Sequence, residues 1–405
     1  MNKIFKLILN KLIIIKNSII KLENPKNAEI IVFDRLNSHF ITPLFSDRNF
    51  FILDVPGKRR KVEKIFLSLS IIKIMILEIL KKNISVCYWV ALIKVVKPKI
   101  VITFTDNHFD FYQMAKIFSN KIKFMAVQNA YRDESYLPSK KAKKIFIPNY
   151  FCFSQQTVDH YEKIGATVGK FYKIGSLRQY HADKAFEKVE KKNKEYDVCL
   201  ISETLPSDDD PVRNERLESL EIIASHVLRL TNEKKLKTII LFKRDPLTKR
   251  GRIEKDFYRK LWGENHPIIM IDKEENYKNY HYAYKSKLVI GNRSTLLLEA
   301  LAHGEKILFC NYKQEYYLKK NRNKVFDNLV ELNSLFDVDK FNVDSFFSVF
   351  QKDYETFKNK ALNLLNMDEK LFQNQISKFK NYMLEYDSNN STFTKVKKQI
   401  NTWLN

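Results

Sequence analysis

One pattern constrains this chain more than any other. Short, almost wholly apolar runs of strand length recur along it, separated by longer helical patterns. In the first half the runs are Glu29–Asp34, Phe50–Asp54, Lys99–Phe104, Lys123–Gln128 and Tyr150–Phe153. In the second they are Tyr196–Ile201, Lys237–Phe242, Pro267–Ile271, Lys287–Ile290 and Lys306–Cys310. They are rich in β-branched and aromatic residues and do not alternate apolar with polar, as a half-solvated antiparallel strand would. A strand apolar on both faces needs both faces covered, which is the situation in a parallel sheet sandwiched by helices. The expected fold class is α/β, with two Rossmann-like doubly wound domains facing a cleft and a helical C-terminus.

A length of 405 residues fits two domains of ordinary size. Near the middle, a helix over Gln155–Ile164 is expected to stop at Gly165, followed by a short strand ending at Gly175-Ser176. Residues 182–195, ADKAFEKVEKKNKE, are charged and carry no apolar stripe. They read as a linker or exposed helix, and the domain boundary is placed there. The expected organisation is a basic amphipathic N-terminal helix over 1–28, an acceptor-side domain over 29–181 and a donor-nucleotide domain over 196–339. Helices follow over 340–405. The second-domain helices include Asn214–Thr231 and Thr295–His303.

The formal charge of +24 suits an anionic partner: nucleic acid, a phosphorylated donor or an anionic membrane face. Lys, Asn and Ile are abundant and Gly numbers only 8, a bias that compositional drift also produces. No nucleic-acid-binding signature accompanies the charge, so no nucleic-acid partner is expected. The four cysteines stand singly, which indicates neither a zinc site nor a disulfide framework. Residues 1–22 are apolar but carry Lys at 3, 6, 11, 16 and 21. They fall short of the roughly 18–20 uninterrupted apolar residues of a membrane span, and no cleavage site for a signal peptide follows. Either a helix lying on the cytoplasmic leaflet or a helix packed on its own domain fits them. Residues 61–82 are similar, with Lys73 and Glu78 interrupting the apolar face, and are expected to pack into the core.

Open α/β sheets bind ligands beyond the carboxyl ends of their strands, and the polar motifs fall there. Val289–Gly304, VIGNRSTLLLEALAHG, is a strand, a turn and a helix closed by Gly304. The helix N-terminus, Asn292, Arg293, Ser294 and Thr295 make a candidate phosphate site. Glu299, one turn further, could accept from ribose hydroxyls. In the simpler reading Ser294 only caps the helix. Ile239–Pro246 runs a strand into Lys243, Arg244, Asp245 and Pro246, a candidate anion clamp or an ordinary solvated turn. Thr103–Asp110 and Gln128–Arg132 follow first-domain strands. There Asp106, His108 or Asp110 could deprotonate an acceptor hydroxyl, with Gln128, Asn129 and Arg132 lining the cleft. In the other reading Asp106 caps the helix starting near Phe109. Glu203, in Ser202-Glu203-Thr204, is a further base candidate. Asp208-Asp209-Asp210 reads as a helix start, not a metal site.

Together KPKIVITFTDNHFDFYQMAKIF, KFMAVQNAYR, FKRDP and LVIGNRSTLLLEALAHGEKILFCN resemble the surface-carbohydrate biosynthesis proteins of bacterial O-antigen and capsule clusters. More distantly, the second half is similar to GT-B enzymes such as capsule Kdo transferases, polysialyltransferases and CDP-glycerol transferases. In several of these a strand ending in Lys-x-His-Pro precedes a strand, a turn, Ser-Ser/Thr and a helix, and the two elements bind the donor nucleotide and its phosphate. Lys243-Arg244-Asp245-Pro246 and Ser294-Thr295 stand at those places. Asp245 occupies the His position, which puts a His-dependent role at the leaving phosphate in question and leaves Arg244 as an electrostatic substitute. The resemblance spans roughly residues 95–312 and implies a GT-B fold, metal-independent chemistry and a cytoplasmic enzyme that could be apposed to the membrane.

The expected activity is a glycosyltransferase of bacterial surface polysaccharide synthesis (O-antigen, capsule or lipopolysaccharide). It takes a nucleotide-sugar as co-substrate, needs no cofactor or metal, and acts on a glycan or lipid-linked acceptor, with peripheral contact to the anionic inner membrane face left open. Lys243, Arg244, Ser294 and Thr295 would stabilise the departing phosphate; Asp106, for preference, would take the acceptor proton. The rivals are a CDP-polyol phosphotransferase, a UDP-sugar epimerase and a non-catalytic subunit of a polysaccharide assembly complex.

Overall fold

The computed structural model describes residues 18–54, 64–79, 84–132, 142–186, 193–203, 205–206, 213–272, 277–292, 294–310, 312, 346–349, 351–386 and 391–405. Its strands are β1 (Ile19–Lys21), β2 (Ile30–Phe33), β3 (Phe50–Leu53), β4 (Lys64–Phe66), β5 (Ile100–Thr103), β6 (Lys123–Val127), β7 (Phe146–Cys152) and β8 (Thr167–Lys173). They continue as β9 (Tyr196–Ile201), β10 (Thr238–Leu241), β11 (Ile269–Ile271), β12 (Ser286–Gly291), β13 (Ile307–Cys310) and β14 (Ser348–Val349). The chain divides into two compact units, Met1–Leu177 with Asp387–Asn405, and Arg178–Tyr386.

The first unit holds a parallel six-stranded sheet in the order β3-β2-β5-β6-β7-β8. Ile30–Phe33, Ile100–Thr103 and Phe124–Val127 are buried along their whole length, as a strand covered on both faces must be. Helices Ile84–Val96 and Phe109–Phe118 supply Trp89, Val90, Phe111 and Met114 to the same core. The expected strand Tyr150–Phe153 begins earlier, at Phe146, although Pro148 argues against a central strand. Gly169 resolves the conflict: a Cβ there would lie 2.6 Å from the Pro148 carbonyl oxygen, so only glycine lets the two backbones meet.

The second unit holds a second parallel six-stranded sheet, in the order β11-β10-β9-β12-β13-β14. Counted along the chain this is 3-2-1-4-5-6, the Rossmann order. The first sheet, counted likewise, is 2-1-3-4-5-6, the flavodoxin-like order extended by one strand. In each sheet the order reverses at one place: between β2 and β5 in the first, between β9 and β12 in the second.

Four expectations are corrected. Residues 1–17 lie outside the described residues, but Ile19–Lys21 is a strand paired in parallel with Lys64–Phe66, not the end of a helix. The helix expected over 61–82 is Leu69–Ile79, and one face of it is exposed rather than packed into the core. The C-terminal region is not wholly helical, because Ser348–Val349 adds the sixth strand. The boundary falls at Leu177, before residues 182–195. The described part of that stretch is anchored in the second unit: Asp183 accepts from the hydroxyls of Tyr284 and Tyr386, and Lys194 Nζ donates to the Tyr284 carbonyl. Helices Tyr354–Asn366 and Glu369–Met383 stay with the second unit, while Thr392–Leu404 belongs to the first. There Lys99 Nζ donates to the Leu404 carbonyl at 3.2 Å, and Trp403 sets its edge against Phe151.

Candidate functional site

In the second unit the strands flanking the order reversal end in polar loops. β9 runs into Ser202 and Glu203, β10 into Lys243 and Arg244, and β12 into Asn292 and the helix Thr295–His303. Parallel pairing of β10 with β9 and of β9 with β12 puts these three loops side by side at one edge of the sheet.

One residue that carries no motif organises the first two loops. Glu254, on the helix Lys249–Trp262, is buried and shares an inward stripe with Gly251, Tyr258 and Trp262. Its carboxylate accepts from the Lys243 and Arg244 backbone amides at 3.0 and 3.1 Å and from the Ser202 hydroxyl. Burial raises its pKa above the ordinary carboxylate value, against the opposing pull of these donors. Tyr258 lies beneath, its phenol pushed upward by burial and by the Glu254 charge, so it remains protonated. The loop is drawn close to the helix: a Cβ on Gly251 would fall 2.0 Å from the Asp245 carbonyl oxygen. Asp245 closes the turn, its side chain accepting from the Leu247 amide and its carbonyl from Thr248. The clamp expected at Lys243-Arg244 therefore has its backbone amides committed inward and presents only side chains to a ligand. Lys243 Nζ stands 3.5 Å from Glu203 Oε1, so this base candidate is already the counter-ion of a lysine.

At the β12 end, Asn292 and Ser294 are buried. Asn292 Nδ2 donates to the Ser219 hydroxyl at 3.4 Å, while its Oδ1 is buried without a hydrogen-bond partner among the described residues. Such an acceptor in the interior costs about 1–3 kcal/mol unless something meets it. Ser294 stands at the N-cap in extended backbone, yet its hydroxyl makes no capping bond. The capping reading is thus right about position and wrong about the side chain. Thr295 opens the helix, and Arg293 lies outside the described residues, as do Thr204 and Asp208–Asp210. Glu299 is buried and accepts from the Tyr280 hydroxyl at 2.7 Å; burial and this carboxylate together hold the Tyr280 pKa well above its ordinary value. The carboxylate expected to meet ribose is therefore engaged by a phenol.

The first-unit loops at the reversal are closed on themselves. Asp106 is fully buried. It accepts from the Arg132 guanidinium and, at 2.7 Å, from the Tyr150 hydroxyl, while the Asn129 amide approaches at 3.5 Å. Arg132 is equally buried and also donates to Asn129 Oδ1 at 2.6 Å. Burial, then the Asp106 charge, raises the Tyr150 pKa well above its usual value, so it stays a donor. Asp106 is therefore committed to the fold rather than open to an acceptor, and Arg132, expected to line the cleft, is buried against it. Gln128 is likewise internal, its carbonyl accepting from the Phe153 amide and the Thr157 hydroxyl. The helix cap is His108, not Asp106, with Nδ1 accepting from the Asp110 amide at 3.3 Å. A ring nitrogen that accepts carries no proton, so a neutral His108 holds its proton on Nε2. Asp110 is half-buried and takes the Trp89 indole N–H at 3.3 Å.

The loop after β2 matches none of the sequence motifs. Asp34 holds a φ of 100° and Asn37 one of 59°, both in the left-handed region. Asp34 accepts from the Leu36 amide at 2.9 Å and the Thr105 hydroxyl at 3.1 Å, tying the β2 loop to the β5 loop across the reversal. An Asp after an apolar run, followed by Arg-Leu-Asn, is the signal that could have marked it.

No family model matches this chain, and no curated protein matches it. Solved structures do. One, assigned as a UDP-N-acetylglucosamine 2-epimerase from Listeria monocytogenes, is 12% identical, covering 93% of this chain and 96% of its own, with a TM-score of 0.55. The MnaA–UDP structure from S. aureus is 14% identical over 94% and 97%, with a TM-score of 0.53. A variant of the wall teichoic acid polymerase TagF is 12% identical over 98% and 92%, also at 0.53. At such identities the likeness shows the fold: two Rossmann-like domains of the GT-B kind with a helical C-terminus.

Proposed function

We propose that this chain is a nucleotide-sugar-dependent glycosyltransferase of bacterial surface-glycan synthesis. The observation that carries the reading is the β12 end of the Rossmann-ordered sheet. A buried amide oxygen without a hydrogen-bond partner among the described residues, an N-cap hydroxyl not used for capping, and a helix N-terminus meet there, one strand away from the loop that carries Lys243. Backbone amides at a helix start, reinforced by a lysine, favour a phosphate. The structures that share the fold include one holding UDP, an assigned UDP-sugar epimerase and a teichoic acid polymerase.

In this reading Lys243, Arg244, Ser294 and the amides of the helix Thr295–His303 hold the diphosphate and take up the charge that grows on it as the sugar leaves. Glu254 is a positioning residue that fixes the Lys243-Arg244 loop before substrate arrives. The acceptor base moves from Asp106 to Asp110, which holds one hydrogen bond from Trp89 and is half-buried. The acceptor is a glycan or lipid-linked sugar.

The fold neighbours favour a second reading, epimerisation of the nucleotide-sugar itself. Product analysis separates the two. Incubation with UDP-, GDP- and CMP-sugars without acceptor should leave the sugar unisomerised, and added glycan acceptor should release free nucleotide diphosphate or monophosphate. An epimeric nucleotide-sugar formed without acceptor would replace transfer by epimerisation. Release of CMP from a CDP-polyol would point to polyol-phosphate transfer.

A further inference from the structure

A pocket in the first unit involves none of the sequence motifs. Arg35 follows β2 and Asp54 follows β3, so it lies at the carboxyl end of the sheet, between β3, β4 and the helix Ile84–Val96. Its volume is about 170 Å³, roughly the room of six waters in the liquid. That is well under the roughly 300–1,000 Å³ of a pocket for a drug-sized ligand, and it admits one six-membered ring rather than a nucleotide. Phe51, Phe66 and Trp89 supply aromatic walls. Asp54, its side chain 7% exposed, accepts from the Arg35 guanidinium and, at 3.3 Å, from the Lys64 amide. Tyr88 has the opposite need. Its oxygen accepts from the Phe66 amide at 3.0 Å, and burial pushes its pKa up to about 12, so it keeps its proton. Among the described residues nothing accepts that proton.

These groups select a ligand. A hydroxyl both donates and accepts, so one sugar hydroxyl can take the Tyr88 proton and give its own to the Asp54 carboxylate, whose two oxygens offer about four lone pairs. The C–H face of a pyranose ring is apolar and suits aromatic walls, whose π faces are negative. A carboxylated sugar is disfavoured, because Asp54 already neutralises Arg35 and a second carboxylate would face the first. Lys64, the remaining cation of the described lining, is exposed, and solvent screens it. Trp89 gives the pocket its place in the reaction. It lines the pocket and donates its indole N–H to Asp110 at 3.3 Å. We infer that this pocket binds one neutral monosaccharide unit of the acceptor, the unit next to the one that reacts at Asp110. The position within the acceptor rests on the transfer reading; the sugar pocket itself does not.

The test is ligand-observed NMR titration of the full chain, without nucleotide, against the methyl glycosides of glucose, galactose, mannose and N-acetylglucosamine and against methyl glucuronide. At least one neutral glycoside is expected to bind saturably at millimolar concentration, and the glucuronide about tenfold more weakly. Tyr88→Phe and Asp54→Asn should each raise the Kd of the neutral glycoside by about tenfold. Circular dichroism checks the fold of each variant, and Phe51→Ala, which removes an aromatic wall, replaces either one that unfolds. Absence of binding by every neutral glycoside, preference for the glucuronide, or binding unchanged by the substitutions overturns the inference. In the transfer assay a neutral disaccharide acceptor should show a KM about tenfold below that of its terminal monosaccharide. Tyr88→Phe should remove that advantage with nucleotide affinity kept, and an advantage that survives overturns the placement beside Asp110. A chain that binds the glycoside and is stabilised by no nucleotide would lose the donor reading and keep the pocket.

Discussion

The two units carry the same kind of sheet and reverse their strand order at the same kind of place, yet the polar residues there do different things. In the first unit they satisfy one another: Asp106 with Arg132 and Tyr150, Gln128 with Phe153 and Thr157, Asp34 with Thr105. In the second unit a buried glutamate on a helix takes the loop amides, and at the β12 end an amide oxygen has no partner among the described residues and the N-cap hydroxyl makes no capping bond. Topology says where a ligand could go. Whether it does depends on how many hydrogen-bonding groups the fold has already consumed.

The largest expected effect breaks the closed side. Asp106→Ala leaves the Arg132 guanidinium buried without its carboxylate and should cost about 3–5 kcal/mol in urea unfolding. Lys243→Ala, at a half-exposed side chain, should cost less than about 0.5 kcal/mol. Equal costs would dissolve the comparison. Next comes Asp110→Asn, which should slow turnover by about a hundredfold or more with nucleotide affinity unchanged; full activity in a coupled nucleotide-release assay would remove Asp110 as the base. Gly251→Ala forces a methyl into the Asp245 carbonyl and should destabilise by about 1–3 kcal/mol while loosening nucleotide binding.

The smallest effect is a pH dependence. Burial raises the Glu254 pKa in the folded protein, so the folded state holds this proton to higher pH than the unfolded chain does. The Glu254 contribution to stability is then fullest below the ordinary glutamate value and is lost as pH rises through the folded value. Glu254→Gln should flatten that part of the stability–pH curve, measured by thermal unfolding from acid to neutral pH. It should also weaken nucleotide binding severalfold, because an amide cannot accept from Lys243, Arg244 and Ser202 on both atoms. An unchanged curve would mean that Glu254 does not titrate differently in the two states.

The fold was legible because doubly covered parallel strands must be apolar throughout, and nine of the ten expected runs stand within two residues of the observed strands at both ends. The exception, the run beginning at Tyr150, was cut short because Pro148 hides the start of β7, and only the facing Gly169 explains how a proline sits there. Ile19–Lys21 escaped because an apolar run with regular lysines reads as a helix until Lys64–Phe66 is found beside it. The candidate site was legible in its loops and not in its roles. TFTDNHFD looks catalytic in isolation. The partners that close Asp106 lie 26 and 44 residues on, brought back by strand pairing that no local spacing records. Glu254 lies outside every motif, though a carboxylate in the inward stripe of Lys249–Trp262 was a readable anomaly.

The central claim is that the β9, β10 and β12 ends of the second unit hold a nucleotide diphosphate. Thermal unfolding against CMP, CDP, UDP, GDP and TDP tests it most directly. A ligand at about a hundred times its dissociation constant stabilises the folded state by roughly 2.7 kcal/mol, a readable shift. The account predicts a clear shift with one nucleotide, lost in Lys243→Ala and Ser294→Ala and kept in Asp110→Asn. No shift with any nucleotide at millimolar concentration, or a shift that survives both substitutions, would contradict it.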